Sequence, residues 1–248
     1  MKGDLHEKEN VYTFVIGILG LIVVIAGFNE FKLLVSGRKV DLNTASISDF
    51  DKPALIDGKV DFVYGPFATL EETQKTYGVT TGKTETNFYI VGNFSGEMYE
   101  SWENGELEFD TFYTVLSVAD KDKQKELDAA AEDWVNYLTS EDENEAPPYY
   151  SIEIKGKLEK QVKDDDYKQY YSEAQDDLSN VSVEKDEYAE LMITNGEVKA
   201  TFTYVFFSLG LILGIGGIAL GILSAVSDSK KKKLEEQSAM TNDETFNG

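Results

Sequence analysis

Carboxylates are the only reactive side chains that this 248-residue sequence holds in quantity: 46 Asp and Glu against 23 Lys and Arg, one His and no Cys. Two carboxyl groups flanking a bond can serve as general acid and as base or nucleophile, the arrangement used in glycoside hydrolysis. With acids this numerous no pair stands out, so no catalytic residue is assigned. The single histidine, His6, lies in the short segment before the first apolar run. Residues 29–201 therefore lack the groups for a Ser-His-Asp triad, a Cys-His pair or a histidine- or cysteine-ligated zinc.

Asp120 and Asp122 open a stretch, DKDKQKELDAAAE, that starts like a calcium loop. Lys125 stands where that loop turns on glycine, and Ala131 where it needs a bidentate glutamate. Neither a P-loop nor a GxGxxG after a strand is present. No metal and no cofactor are expected. Residues 29–201 carry 38 acidic and 17 basic side chains. That balance excludes nucleic acid, whose phosphates need a basic face, and suits an exposed domain kept soluble by charge. Asn93-Phe94-Ser95 and Asn180-Val181-Ser182 fit the glycosylation pattern, which matters only in a pathway that reads it.

The elements that carry these residues begin with two apolar runs, hidden in a mean hydropathy of −0.32. Residues 11–28 and 202–226 contain no charge. As helices they reach roughly 27 and 37 Å, against a hydrocarbon core of about 30 Å. Both read as transmembrane helices. A cleaved signal peptide is the other reading of the first, but its flank is mixed in charge and its apolar run is long for one. Lys230, Lys231, Lys232 and Lys233 follow the second run directly and mark its cytoplasmic end. The expected order is a cytoplasmic tail (1–10), a first span (11–28), an extracytoplasmic domain (29–201), a second span (202–226) and a cytoplasmic tail (227–248). The place is the plasma membrane. An exported domain without disulfides suits the outside of a Gram-positive cell.

Within the second run, Gly210, Gly214, Gly217, Gly221 and Ser224 are spaced 4, 3, 4, 3. A period of 3.5 sets small residues in one straight seam, where another helix can approach closely. Gly17, Gly20 and Gly27 of the first run offer a matching surface, and a second copy of the same helix is the alternative partner. The period predicts a left-handed crossing near +20°.

Residues 29–201 read as α+β with mainly antiparallel sheet. Asp57-Gly58, Asn104-Gly105 and Asn195-Gly196 lie between apolar runs and predict three tight hairpins, the last returning along residues 197–201. Tyr150, Ile152, Ile154 and Leu158 alternate with polar residues as in a half-buried strand. Residues 86–94 and 111–118 read as buried strands. Helical spacing places Leu127, Ala131, Trp134 and Leu138 on one stripe, and Tyr167, Tyr170 or Tyr171, Ala174 and Leu178 on another. Thr69-Leu70-Glu71-Glu72 reads as a capping box opening a short helix. Residues 140–150, acidic and proline-containing, read as an exposed connection.

The order ETNFYIVGNF, FYTVLSVADKDKQKELDAAAEDWVNYL, IEIKGKLEKQVKDDDYKQYYSEA and then a span with a basic tail resembles an uncharacterised family of two-pass membrane proteins of Gram-positive bacteria. The likeness covers most of residues 11–233 and implies membrane location and an extracytoplasmic α+β domain, with no assigned activity. The functional expectation is a non-enzymatic protein that binds, senses or scaffolds through its acidic domain. Its partners are the lipid bilayer and another membrane or envelope protein. A membrane-tethered hydrolase using paired carboxylates is the rival.

Overall fold

The computed structural model describes residues 2–76, 79–93, 112–140, 146–180 and 188–244. The predicted Asn104-Gly105 hairpin lies outside them. The chain forms two compact units, one of Met1–Val35 with Lys199–Gly248 and one of Ser36–Val198. The first consists of two long helices, α1 (Lys2–Ser36) and α4 (Ala200–Glu244). Both run well beyond the uncharged stretches, because the flanking Lys and Glu are good helix formers.

The second unit is a mixed seven-stranded sheet with two helices. Its strands are β1 (Lys39–Asp41), β2 (Leu55–Val60), β3 (Phe62–Thr76), β4 (Val79–Gly92), β5 (Tyr113–Val118), β6 (Ile152–Lys160) and β7 (Leu191–Asn195), and its helices α2 (Lys121–Leu138) and α3 (Asp165–Ser179). The spatial order is β1-β2-β6-β7-β5-β4-β3. Two pairings, β1–β2 and β5–β7, are parallel; the others are antiparallel.

One residue, Asp61, separates β2 from β3, yet these strands stand near opposite ends of that order. The sheet must therefore curl until the two meet. Asp61 N–H donates to Gly92 O of β4 at 3.3 Å at this corner. The Trp134 indole N–H of α2 donates to Asp61 O at 2.7 Å.

Alternation along β4 and β5 supplies both faces. Tyr89, Val91, Leu116 and Val118 enter the main core with Leu127, Ala130 and Ala131 of α2. Phe88, Ile90, Tyr113 and Val115 point the other way, where α3 covers them with Tyr167, Ala174 and Leu178. Burial on two faces explains why every residue of β5 is buried, its polar Thr114 and Ser117 included. On α3 the stripe runs through half-buried Tyr171, while Tyr170 is exposed.

Three local expectations are corrected. Asp57-Gly58 lies inside β2, which continues to Val60 and pairs with β6. Thr69-Leu70-Glu71-Glu72 is extended chain in β3, held by pairing with β4 (Thr69↔Asn87, Leu70↔Thr86). Asn195-Gly196 ends β7 without a returning strand, because α4 begins at Ala200.

Register also brings the ends of this unit together. Val40 pairs with Ile56, Ile56 with Gly156 and Gly156 with Asn195, so the first and last strands meet one row across three strand spacings, about 14 Å. Gly156 sits where β6 and β7 approach closely: a Cβ there would lie 2.2 Å from Thr194 O. Gly156→Ala is expected to destabilise the sheet by about 1–3 kcal/mol, the range for an overpacked core. Thermal unfolding of the detergent-solubilised protein, with a Tm clearly below wild type, is the check.

Candidate functional site

The glycine positions singled out above lie within the helical unit. Buried positions on α4 are Thr203, Phe207, Gly210, Gly214, Gly217 and Gly221, with Ser224 half-buried. Their spacing is 4, 3, 4, 3, 4, 3. On α1, Thr13, Gly17, Gly20, Val24 and Gly27 are buried or half-buried at the same intervals. The helices run antiparallel along these rows. A Cβ on Gly20 would lie 2.4 Å from Gly214 N and 2.8 Å from Gly210 O. One on Gly217 would lie 2.7 Å from Gly17 Cα. Gly27 is looser, with Phe207 Cδ2 at 3.9 Å from its Cβ position. Gly216, one residue off the row, has nothing within 4 Å. Only side chains without a Cβ permit such backbone approach.

Beyond Gly27 the seam changes character. Phe31 stacks on Phe207 with centroids 3.9 Å apart and meets Tyr204 edge-on at 5.8 Å. Thr203 Oγ1 reaches Glu30 Oε2 at 3.5 Å. A search for small residues passes over Val24, Thr203, Phe207 and Phe31. The same 4, 3 spacing finds Phe207 and Thr203 past Gly210 on α4, and Val24 and Phe31 on either side of Gly27 on α1. Lys230, Lys231 and Lys233 are exposed, and all four lysines continue α4 as helix.

In the α+β unit the carboxylates have local tasks. Asp120, where the calcium-like stretch begins, caps α2 by accepting from Asp122 N–H and Lys123 N–H at 3.1 and 2.8 Å. Asp164 caps α3 through Tyr167 N–H at 3.1 Å. Three aspartates on the helices accept tyrosine hydroxyls: Asp128 from Tyr89 at 2.7 Å, Asp177 from Tyr64 at 3.0 Å, and Asp133 from Tyr150. Lys52 and Arg38 hold the Asp51 carboxyl below its usual range, and Lys168 does so for Asp165. That is the reverse of what a general acid needs. Among the described residues no three His, Asp or Glu side chains cluster as a metal site.

The tyrosines carry a pH signature. Burial, then the Asp177 hydrogen bond, pushes Tyr64 up to about 12. The Asp133 hydrogen bond, then burial, pushes Tyr150 up to about 12. Burial raises Tyr89 as well. An unfolded tyrosine ionises near 10. Below that both states are protonated and the contribution is complete. Between about 10 and 12 the unfolded chain sheds protons that the native state keeps, so rising pH favours unfolding. Stability is expected to fall steeply over that window. Melting curves from pH 8 to 12 test it: the Tyr64→Phe, Tyr150→Phe double variant should show a shallower decline.

Residues 2–227 match the family described as a domain of unknown function, DUF8577. The chain belongs to DUF8577. The match runs through α1, the α+β unit and α4 as far as residue 227, so the helix-flanked arrangement belongs to the matched region itself. It extends only to residue 227 and leaves the four lysines of α4 outside the DUF8577 region. A comparison with curated proteins found no match.

Proposed function

We propose that this protein crosses the plasma membrane twice and displays a non-catalytic binding or scaffolding domain on the outer side. The observation that carries the membrane part is the inverted helix pair. Tyr12–Ser36 and Ala200–Lys231 have mean hydropathies of 2.2 and 2.3, yet only 11% and 22% of their apolar windows are buried. The seam glycines face inward, while Leu19, Ile25, Ile212, Ile215 and Leu223 point outward and are more than half exposed. In water such a surface would aggregate. In lipid it is the ordinary arrangement, with small residues at the interface and large apolar ones against acyl chains. The heptad spacing supports a left-handed crossing.

Orientation rests on Lys230, Lys231, Lys232 and Lys233, whose cluster at the end of the second span favours a cytoplasmic location for both termini. The α+β unit is then outside. Asp120 and Asp164 cap its helices and Asp128, Asp133 and Asp177 accept tyrosine hydroxyls, structural tasks that favour a binding or scaffolding role over hydrolysis.

Two measurements test the reading. After alkaline carbonate washing the protein should stay in the membrane pellet; release into the supernatant would refute membrane crossing. Protease added to intact cells should cleave around residues 140–148 and spare a tag placed after Gly248. A digested tag with a protected domain would reverse the orientation.

A further inference from the structure

We propose that the inner end of α4 binds the headgroup of an acidic phospholipid, a site that rests on the reading of this helix as a membrane span. Ile222, Ala225, Val226, Ser229, Lys230 and Lys233 line one shallow groove of about 350 Å³. Their spacing of 3, 1, 3, 1, 3 sets them on a single helix face.

The groove is divided in kind along its length. Ile222, Ala225 and Val226 form an apolar floor within the segment Ala200–Lys231. Ser229, Lys230 and Lys233 close its C-terminal end. At 3.6 residues per turn Asp228 falls off the lining row and Lys231 about opposite it. Read as a span, the uncharged run 202–226 puts Ile222, Ala225 and Val226 at acyl-chain depth and Lys230 and Lys233, beyond it, at headgroup depth.

The occupant follows from complementarity. A neutral lipid would fill the floor but bring no net negative charge to the two ammonium groups. A soluble phosphate would meet the lysines and leave the floor wet. A phospholipid with net negative charge satisfies both, with its phosphate against Lys230 and Lys233 and its first methylenes over Ile222, Ala225 and Val226. Lysine serves phosphate as a mobile point charge.

The test uses the full-length protein in detergent with equimolar phosphatidylglycerol and phosphatidylcholine, the retained lipids being counted by native mass spectrometry. Phosphatidylglycerol should be retained in preference. Lys230→Gln and Lys233→Gln should each lower that preference about fivefold, the scale of one lysine near an acidic surface. Lys230→Arg and Lys233→Arg should keep it, and Lys231→Gln should change it little. Excess glycerol phosphate should not displace the lipid. Equal retention of both lipids, an equal effect of Lys231→Gln, or displacement by glycerol phosphate would each overturn the site. Carbonate washing of the same variants separates the two readings: a protein that stays in the membrane without preferring phosphatidylglycerol refutes the groove alone, and one that washes out refutes the span.

Discussion

Replacing Gly214 and Gly217 by leucine is expected to part α1 from α4 while leaving both helices inserted. A Cβ at Gly217 would stand 2.7 Å from Gly17 Cα and 2.8 Å from Gly17 N, and one at Gly214 would stand 3.2 Å from Leu21 N. These neighbours are backbone and cannot rotate away, so the helices must separate to admit a leucine at Gly217. Lipid tails are as apolar as leucine, so nothing but packing and a few polar contacts opposes that separation. Insertion is unaffected, because leucine partitions into a bilayer more favourably than glycine. The chain has no cysteine, so an introduced pair reports cleanly. A Cβ at Gly221 would lie 3.7 Å from Phe14 Cβ, within the range a disulfide spans. Phe14→Cys with Gly221→Cys should cross-link within one chain on oxidation. Adding Gly214→Leu and Gly217→Leu should abolish the cross-link, and adding Gly216→Leu should preserve it, since that position faces open space. A cross-link that survives the double leucine change would show that the seam does not hold the pair.

How much of this could be read beforehand depends on how local each signal is. The alternation Ile152, Ile154, Leu158 is a property of one strand, and β6 buries those residues as expected. The stripe Leu127, Ala131, Trp134 is a property of one helix, and α2 buries it in the same way. The capping-box pattern at Thr69 is equally local but was overridden, because pairing with β4 along most of a fifteen-residue strand outweighs one turn of capping. Asp57-Gly58 misled for a related reason. Gly58 has φ +137°, but its glycine serves a close approach, since a Cβ there would lie 2.7 Å from Leu42 N. At Asn195-Gly196 the positive φ of 140° at Gly196 was legible, whereas the expected return strand was not formed, the chain passing instead into α4. The curl of the sheet was not legible at all. It arises from β2 pairing with β6 and β5 with β7, contacts separated by about a hundred and by more than seventy residues, for which no local pattern speaks. Carboxylate roles were hidden likewise: Asp128 and Asp177 meet Tyr89 and Tyr64 only once the helices dock on the sheet.

Trp134→Ala should be the most damaging single substitution in the α+β unit. The indole is 1% exposed and lies edge-on to Phe62 at 5.1 Å and Tyr137 at 5.8 Å. Its N–H is bonded to Asp61 O, at the one residue that joins β2 to β3. Alanine would leave a large cavity and remove that donor from the corner where the sheet curls. Truncations of buried tryptophan cost about 3–5 kcal/mol, a large share of the roughly 5–15 kcal/mol that a domain holds in total. For a unit of this size, each kcal/mol shifts Tm by about 2–4 °C, so a fall of roughly 6–20 °C is expected. Trp134→Phe keeps most of the apolar contact and loses the hydrogen bond, so its loss should be nearer 1–2 kcal/mol. Hydrogen exchange adds a local readout. In Trp134→Ala the amide of Asp61, which donates to Gly92 O across the corner, should lose protection before those of β6 and β7. If instead Trp134→Ala melts within about 2 °C of wild type and Asp61 stays protected, the corner is held by its backbone pairing and neither the packing nor the hydrogen bond of the indole supports it.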